Sequence, residues 1–421
     1  MKKILFLTNK LPFPKTDGRK NILMQYIEAI KEIDPNISII NASFVDDETY
    51  LSSIPKEIDK VLPLERPGMI EKGKNVLLNS LILRKWPLQV SVFYSKSTHQ
   101  QLLDFITTEN PDFIIYDMVR VAEYLPVHKR VHLVLNYDDL LSLRYKRQQS
   151  YIEYIPSIFG GFTDKLPKAV RKIFNTKKLQ KAILSFESNL LRKYEYKVAK
   201  KFQHLVFTSP KEAVEFAQES HHHSCTGIPM SFEVRNDISR KNNYNPHKVL
   251  FVGKMDIAHN VAAVLYFCEN IWPIVKQKQP ELEFWIAGKD PTNEVLQLQD
   301  RFDGVKVLGP VDDIKKEIVT SAVFVAPLVF GTGIKTKVIE ALSLGVPVVS
   351  TSIGAEGIKY TNGLNMYVAD DIHQFADYIV ELVNHPERNK QLARNGKKMV
   401  QEDYSKDNMK QKWKKILASV H

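Results

Sequence analysis

The stretch FGTGIKTKVIEALSLG, residues 330–345, packs Gly331, Thr332, Gly333, Lys335, Lys337 and Glu340 close together. Ile334, Val338, Ala341 and Leu342 recur at helical spacing, and Gly345 reads as the residue that ends the helix. The amides of Gly331, Thr332 and Gly333 then stand at a helix N-terminus without intrahelical partners, which is an anion site. Lys335 and Lys337 fall in the first turn, where a cation opposes the helix dipole unless an anion shares the site. Glu340 lies one to two turns on, where a carboxylate can accept hydrogen bonds from ribose hydroxyls. The order is phosphate first and sugar second, as in a nucleoside diphosphate. The plain alternative is a glycine turn followed by a helix with solvated lysines and glutamate, and spacing alone leaves both open. The stretch lacks a G-x-x-x-x-G-K-[ST] loop, and Thr336 stands where a dinucleotide fingerprint needs its third glycine.

Short apolar runs alternate with helical patterns on both sides of this stretch. KKILFLT, ISIINAS, DFIIYD, VHLVLNYD and HLVFTS read as strands in the first half, and KVLFVG, LEFWIAG, VKVLG, AVFVAPL and VPVVSTS in the second. Continuous apolar runs of this kind suit parallel strands covered on both faces. RKNILMQYIEAIKEI reads as a helix burying Ile22, Leu23, Tyr26, Ile27 and Ile30. Gly253, Gly288 and Gly309 close three strands at the edge where open α/β sheets take ligands. The expected architecture is two doubly wound α/β domains facing each other across a cleft. The first spans 1–230, with a basic helical insertion near 150–200, and a polar linker follows over 231–247. The second spans 248–400, and a helix over 401–421 can pack back on the first.

Bulk properties narrow the partners. The chain has 421 residues, enough for two or three cores, and a formal charge of +11. That charge favours anionic ligands, while no zinc-finger, recognition-helix or RNP-type signature points to nucleic acid. Cys225 and Cys268 make no disulfide framework and no metal spacing, as expected of a reducing, cytoplasmic compartment. The N-terminal apolar run is too short for a signal peptide, and no run approaches the ~20 residues that span a bilayer.

The segments FVGKMDIAHNVAAVLYFCENIWP, PELEFWIAG, VKVLGPVDD, APLVFGTGIKTKVIEALSLGVPVVSTSIGAEGI and NMKQKW resemble, in this order, the C-terminal domain of glycosyltransferase family 4. The resemblance covers roughly 248–405 and is patchier in the first half, at PFPKTDGRKN, NYDDLLSLRY and FESNLLRKYEYKVAKKFQHLVFTS. It implies a GT-B fold and retaining transfer from a nucleotide-diphosphate sugar, with no cofactor and no metal. It places Gly331, Thr332, Gly333 and Lys335 at the donor diphosphate and Glu340 at the ribose. Gly18 and Arg19 fall in the first βα turn, where the resemblance sets a glycine against the donor phosphates. Asp17 equally suits a plain helix cap.

Two departures stand out. Thr332 occupies the place of the first of two family glutamates. After the first strand of the second domain, Lys254 matches a family arginine, while Asn260 takes the place of a lysine. Asp138 and Asp139 end a strand on the ligand edge, where either can meet the acceptor hydroxyl or donor sugar, or cap the next helix. Transfer of this kind is expected to let the leaving phosphate take the acceptor's proton, so no separate base is required. His221, His222 and His223 lie adjacent in a polar loop and read as solvated rather than as a metal site. Residues 155–181 interleave lysines and arginines with aromatics, which suits an anionic membrane surface as well as a solvated basic face. A glycan or lipid-linked acceptor for cell-surface polysaccharide or glycolipid follows. A nucleotide-sugar epimerase and a non-catalytic binding subunit are the alternatives.

Overall fold

The computed structural model describes residues 2–127, 131–155, 158, 176–234 and 244–419. The chain divides into two compact units, one of Met1–Ser142, Phe186–Ser231 and Lys406–His421, the other of Leu143–Ser185 and Phe232–Ser405.

In the first unit seven parallel strands form one sheet: β1 (Lys3–Thr8), β2 (Ser38–Phe44), β3 (Lys60–Leu64), β4 (Phe113–Asp117), β5 (His132–Asp138), β6 (His204–Phe207) and β7 (Cys225–Gly227). Their order is β3-β2-β1-β4-β5-β6-β7. In β1, residues Ile4 to Leu7 are all buried, because helices cover both faces of a parallel sheet. The helix Gly18–Ile33 starts at Asp17, whose carboxylate accepts from the Lys20 amide, and it buries Ile22, Leu23, Tyr26, Ile27 and Ile30. The last helix of the chain, Lys406–Ala418, lies against it. There Trp413, fully buried, meets the Tyr26 ring edge-on at 5.1 Å between centroids.

The second unit holds a six-stranded parallel sheet: β8 (Asn245–Val252), β9 (Glu283–Ala287), β10 (Val305–Gly309), β11 (Ser321–Ala326), β12 (Val348–Ser350) and β13 (Tyr367–Val368). The order is β10-β9-β8-β11-β12-β13. All six residues of β11 are buried. Gly288, with φ of 151°, passes so near Gly253 that a Cβ on it would stand 1.7 Å from the Gly253 carbonyl oxygen. Only glycine lets the ends of β8 and β9 come together in this way. Ile152, Ile155 and Leu184 pack with Ala262, Val329 and Phe330 in this unit.

All ten strands expected from the sequence are present. Three more, β3, β7 and β13, carry weaker signals: β3 is a half-exposed edge strand containing Pro63, and β7 and β13 are only 3 and 2 residues long. Most of the basic stretch 155–181 lies outside the described residues. Among the described residues no helix is long and apolar enough to cross a membrane.

Truncating Trp413 tests how far the first unit depends on the end of the chain. Trp413→Ala is expected to lower stability by about 3–5 kcal/mol, the usual cost of emptying a buried aromatic site, and Trp413→Phe by less. Urea denaturation followed by circular dichroism reads both.

Candidate functional site

A doubly wound sheet opens a crevice where its strand order reverses, because the loops leaving the two central strands diverge there. In the second unit this point lies between β8 and β11. The loop after β8 carries Gly253 and Lys254 and leads into the helix Ala258–Tyr266, which carries Asn260; the loop after β11 carries Gly331 to Lys335 and leads into the helix Thr336–Ser343. The glycine loop and the first-strand residues singled out in the sequence therefore share one edge.

Gly331 and Gly333 have φ of 145° and 66°, conformations that side chains resist. Lys335 is the N-cap residue rather than part of the first turn. Its side chain curls back, and Nζ donates to the carbonyls of Thr332 at 2.7 Å and Gly333 at 2.8 Å. A Cβ on Gly331 would come within 3.2 Å of the Lys335 Cε. Lys335 thus holds the loop's shape as well as bringing a charge to it.

Lys337 takes the other path. Its Nζ donates to Asn260 Oδ1 at 2.5 Å and sits 4.3 Å from the centroid of the Phe251 ring. A Cβ on Gly253 would lie 2.8 Å from the same Nζ. The ammonium therefore occupies the end of β8, against the residue that replaces the expected lysine. Among the described residues no carboxylate pairs with it, and burial together with the charge of Lys335 brings its pKa down to about 7. His259 is held neutral mainly by burial, with Lys337, Arg144 and Lys335 adding to the effect.

Two arginines border the loop. Arg144 Nε donates to Thr332 Oγ1 at 3.2 Å. Arg147 donates to the Gly331 carbonyl at 2.7 Å and to both oxygens of Glu356 at 2.5 and 2.9 Å. Thr332 meets the Arg144 guanidinium through a neutral hydroxyl, where a glutamate would bring a carboxylate. Glu340 follows one turn into the helix. Burial raises its pKa, with Lys315 opposing, and no donor among the described residues reaches its carboxylate.

Lys254 behaves differently from the sequence expectation. It is exposed, and its Nζ pairs with Asp256 at 2.6 Å and Asp290 at 3.2 Å. Its charge is already balanced there, whereas Lys337 brings an uncompensated one. The sequence reading missed Lys337 in this position, and with it Arg144, Arg147 and Glu356. The signal lay in LRYKR, where two arginines recur three residues apart, one helical turn.

The first unit has its own reversal point, between β1 and β4. Gly18 is the first residue of its helix, and Asp17 caps it while pairing with Lys10 at 2.6 Å. Arg19 is gripped by the fully buried Asp117 and by Asp138 Oδ1 at 2.8 Å. Two carboxylates thus neutralise the guanidinium expected to face an anion. Met118 and Asp138 both adopt positive φ, 70° and 68°. The Asp138 carbonyl is fixed by the amide and hydroxyl of Thr208 at 2.9 and 2.8 Å. Non-glycine residues held in such conformations are costly and concentrate at functional edges.

Asp139 is buried instead. It neighbours Glu195, whose carboxyl burial pushes up to about 8 and which accepts from the Ser142 amide at 3.1 Å and hydroxyl at 2.5 Å. Glu212 accepts from the Leu140 amide at 2.9 Å. These acids cap the helix Leu141–Ser150. Of the two aspartates singled out, Asp138 lies at the rim and Asp139 in the interior. His222 bonds through Nε2 to the Phe202 carbonyl at 3.0 Å. Among the described residues no group of three or more His, Cys, Asp or Glu side chains is arranged to hold a metal.

A family model described as Glycosyl transferases group 1 matches residues 246–385, the part of the chain that builds this second sheet. A Klebsiella pneumoniae protein named only as uncharacterized, in the cps region, is 24% identical over 433 residues, covering 100% of this chain and 99% of its own. A Campylobacter jejuni α-1,4-N-acetyl-D-galactosaminyltransferase, named for a diphospho-undecaprenol-linked glycan, is 29% identical over 177 residues. That match covers 41% of this chain and 48% of the Campylobacter protein. Among solved structures, Anabaena HepE in complex with UDP and glucose is similar with a TM-score of 0.64 and 14% identity, covering 100% of both chains. The fold is GT-B.

The opposing roles of Lys337 give a paired prediction. Because its folded pKa lies below the unfolded value, the folded state binds fewer protons between about pH 7 and 10.5. The group therefore costs stability below pH 7, and the cost fades as pH rises towards 10.5. Lys337→Met is expected to raise the melting temperature, more at pH 6 than at pH 9. It is also expected to weaken pyrophosphate binding about ten- to a hundredfold, the worth of a charge-assisted hydrogen bond. Lys254→Ala should leave pyrophosphate affinity nearly unchanged. Equal losses in the two variants, read by calorimetry, would return the charge to Lys254.

Proposed function

We propose that this GT-B glycosyltransferase is a retaining, family 4 type enzyme. It moves a sugar from a nucleotide-diphosphate sugar to a glycan or lipid-linked acceptor in cell-surface polysaccharide or glycolipid synthesis. The carrying observation is the uncompensated Lys337 ammonium beside the glycine loop at the β8/β11 reversal. Such a charge, kept at a cost in stability, suits a diphosphate. HepE in complex with UDP supports the donor class, and the Campylobacter protein's lipid-linked glycan supports the acceptor class. We place the enzyme in the cytoplasm, where nucleotide sugars are made.

In this reading the amides of Gly331, Thr332 and Gly333 meet the diphosphate, with Lys337, Lys335 and Arg144 around it. Glu340 accepts from the ribose hydroxyls. As the bond from the anomeric carbon to the leaving phosphate breaks, negative charge grows on the diphosphate. Fixed cations in a partly dry loop lower that barrier without reorganising. The leaving oxygen takes the acceptor hydroxyl's proton as the new glycosidic bond forms on the same face. Asp138, held at the rim by Arg19, positions the acceptor rather than acting as a required base. No metal enters the step.

A thermal-shift series with UDP, GDP, ADP, CMP and dTDP tests the donor site. One diphosphate is expected to stabilise the wild type by ~2.7 kcal/mol at one hundred times its Kd. Glu340→Ala should abolish most of that shift; no shift with any nucleotide would sink the reading. Because Glu340 must be ionised to accept from ribose and burial raises its pKa, affinity should fall on acidification at a higher pH than an ordinary glutamate dictates. Glu340→Gln should flatten that pH profile. With the matching sugar nucleotide, acceptor-dependent nucleotide release and an unchanged anomeric configuration by NMR are expected. Epimerised sugar without acceptor, or binding without turnover, would instead select the epimerase or the binding subunit.

A further inference from the structure

Ordinary surface helices turn apolar side chains inward and polar ones to water. In the first unit one segment does the reverse. The helix Met69–Asn75 continues as a wider π-helical stretch, Val76–Ile82. Three of its polar residues are tied to neighbouring segments. Glu71 accepts from the Lys96 amide at 3.1 Å, Asn75 donates to the Tyr94 carbonyl at 2.7 Å, and buried Ser80 shares a 2.7 Å hydrogen bond with Ser91. Its apolar residues stand out: Met69 and Ile70 are 75% and 78% exposed, and Leu77, Leu78, Leu81 and Ile82 are all exposed. Half of the exposed large apolar side chains among the described residues fall between positions 69 and 83. Leaving so continuous a patch in water is costly and marks a docking surface.

The charges around the patch identify its occupant. Lys72 and Lys74 lie within the segment, exposed Arg84 and Lys85 follow it, and its one carboxylate, Glu71, is engaged by the Lys96 amide. A second copy of this chain docking by twofold symmetry would bring these same cations face to face, which disfavours pairing. An anionic bilayer surface suits both features, taking the apolar side chains between its acyl chains and the lysines and arginine among its headgroups.

We propose that the segment Met69–Arg84 docks the protein onto the anionic surface of a membrane. Residues 155–181, which suggested lipid contact in the sequence, lie mostly outside the described residues, and the proposal rests on a different stretch of the chain. The inference does not rest on the transfer reaction, since docking needs neither donor nor acceptor.

Co-sedimentation of the full chain with vesicles tests it, using equimolar phosphatidylglycerol and phosphatidylcholine against phosphatidylcholine alone. The wild type is expected to bind the anionic vesicles and to be released by salt. The triple variant Leu77→Gln, Leu81→Gln, Ile82→Gln should bind roughly tenfold more weakly or worse, and Lys72→Glu with Lys74→Glu should lose the preference for phosphatidylglycerol. Lys72 is half-buried and the other substituted residues are exposed, and unchanged circular dichroism spectra and melting temperatures would show that the variants fold. Wild-type protein that ignores both vesicles at low salt would overturn the proposal, as would a triple variant that binds as well as wild type. A dimer in sedimentation velocity that the triple variant dissolves would overturn it too, assigning the patch to a second copy. None of these failures touches the transfer reading, which is measured without lipid.

Discussion

Parallel strand pairing governs everything else in both units. Each strand must be followed by a crossover, so all strands of a sheet finish on one edge and their loops gather there. Where the order reverses, two loops part and leave backbone amides uncovered. The chemistry-bearing residues of the second unit sit on the two loops flanking that point, after β8 and β11. On the other side of β8, the close pass of Gly288 over Gly253 lets the ends of β8 and β9 meet without side chains between them. In the first unit the same constraint brings Arg19, Asp117 and Asp138 together at the ends of β1, β4 and β5.

The two edges handle charge in opposite ways. Arg19 lies between two carboxylates, so its charge is more than balanced there, and the Asp138 backbone is fixed by Thr208. The second edge concentrates cations, with Lys337 set against an amide and an aromatic ring instead of an acid. Threonine at 332 fits the same pattern, since it meets Arg144 through a hydroxyl and not a carboxylate. An edge built in this way gathers buried cations at a cost in stability.

The fold was legible because buried parallel strands read as unbroken apolar runs, and ten of them were long enough to be seen. The remaining strands escaped because an edge strand containing Pro63 and pairs as short as β13 lack that signature. The glycine loop and Glu340 were legible from spacing, since helix entry and helical phase fix where their groups lie. The partners of the charged side chains were not. Where Lys337 and Lys254 reach depends on where a flexible four-carbon stem finds its acceptor, and Asp256 and Asp290 take up Lys254. Nor does the order of residues reveal that Arg19 meets Asp117, nearly a hundred positions away.

The path of the chain has a consequence for how the protein is made. It leaves the first unit after Ser142, returns at Phe186, leaves again after Ser231 and returns at Lys406 for the final helix. A ribosome therefore releases everything the second sheet needs before the helix carrying Trp413 has emerged. The unit begun first is the one finished last, and until then the face of Gly18–Ile33 around Tyr26 lacks its cover. A nascent chain stalled before Lys406 would hold a completed glycine-loop unit beside an unsealed partner, a target for chaperones rather than a working enzyme.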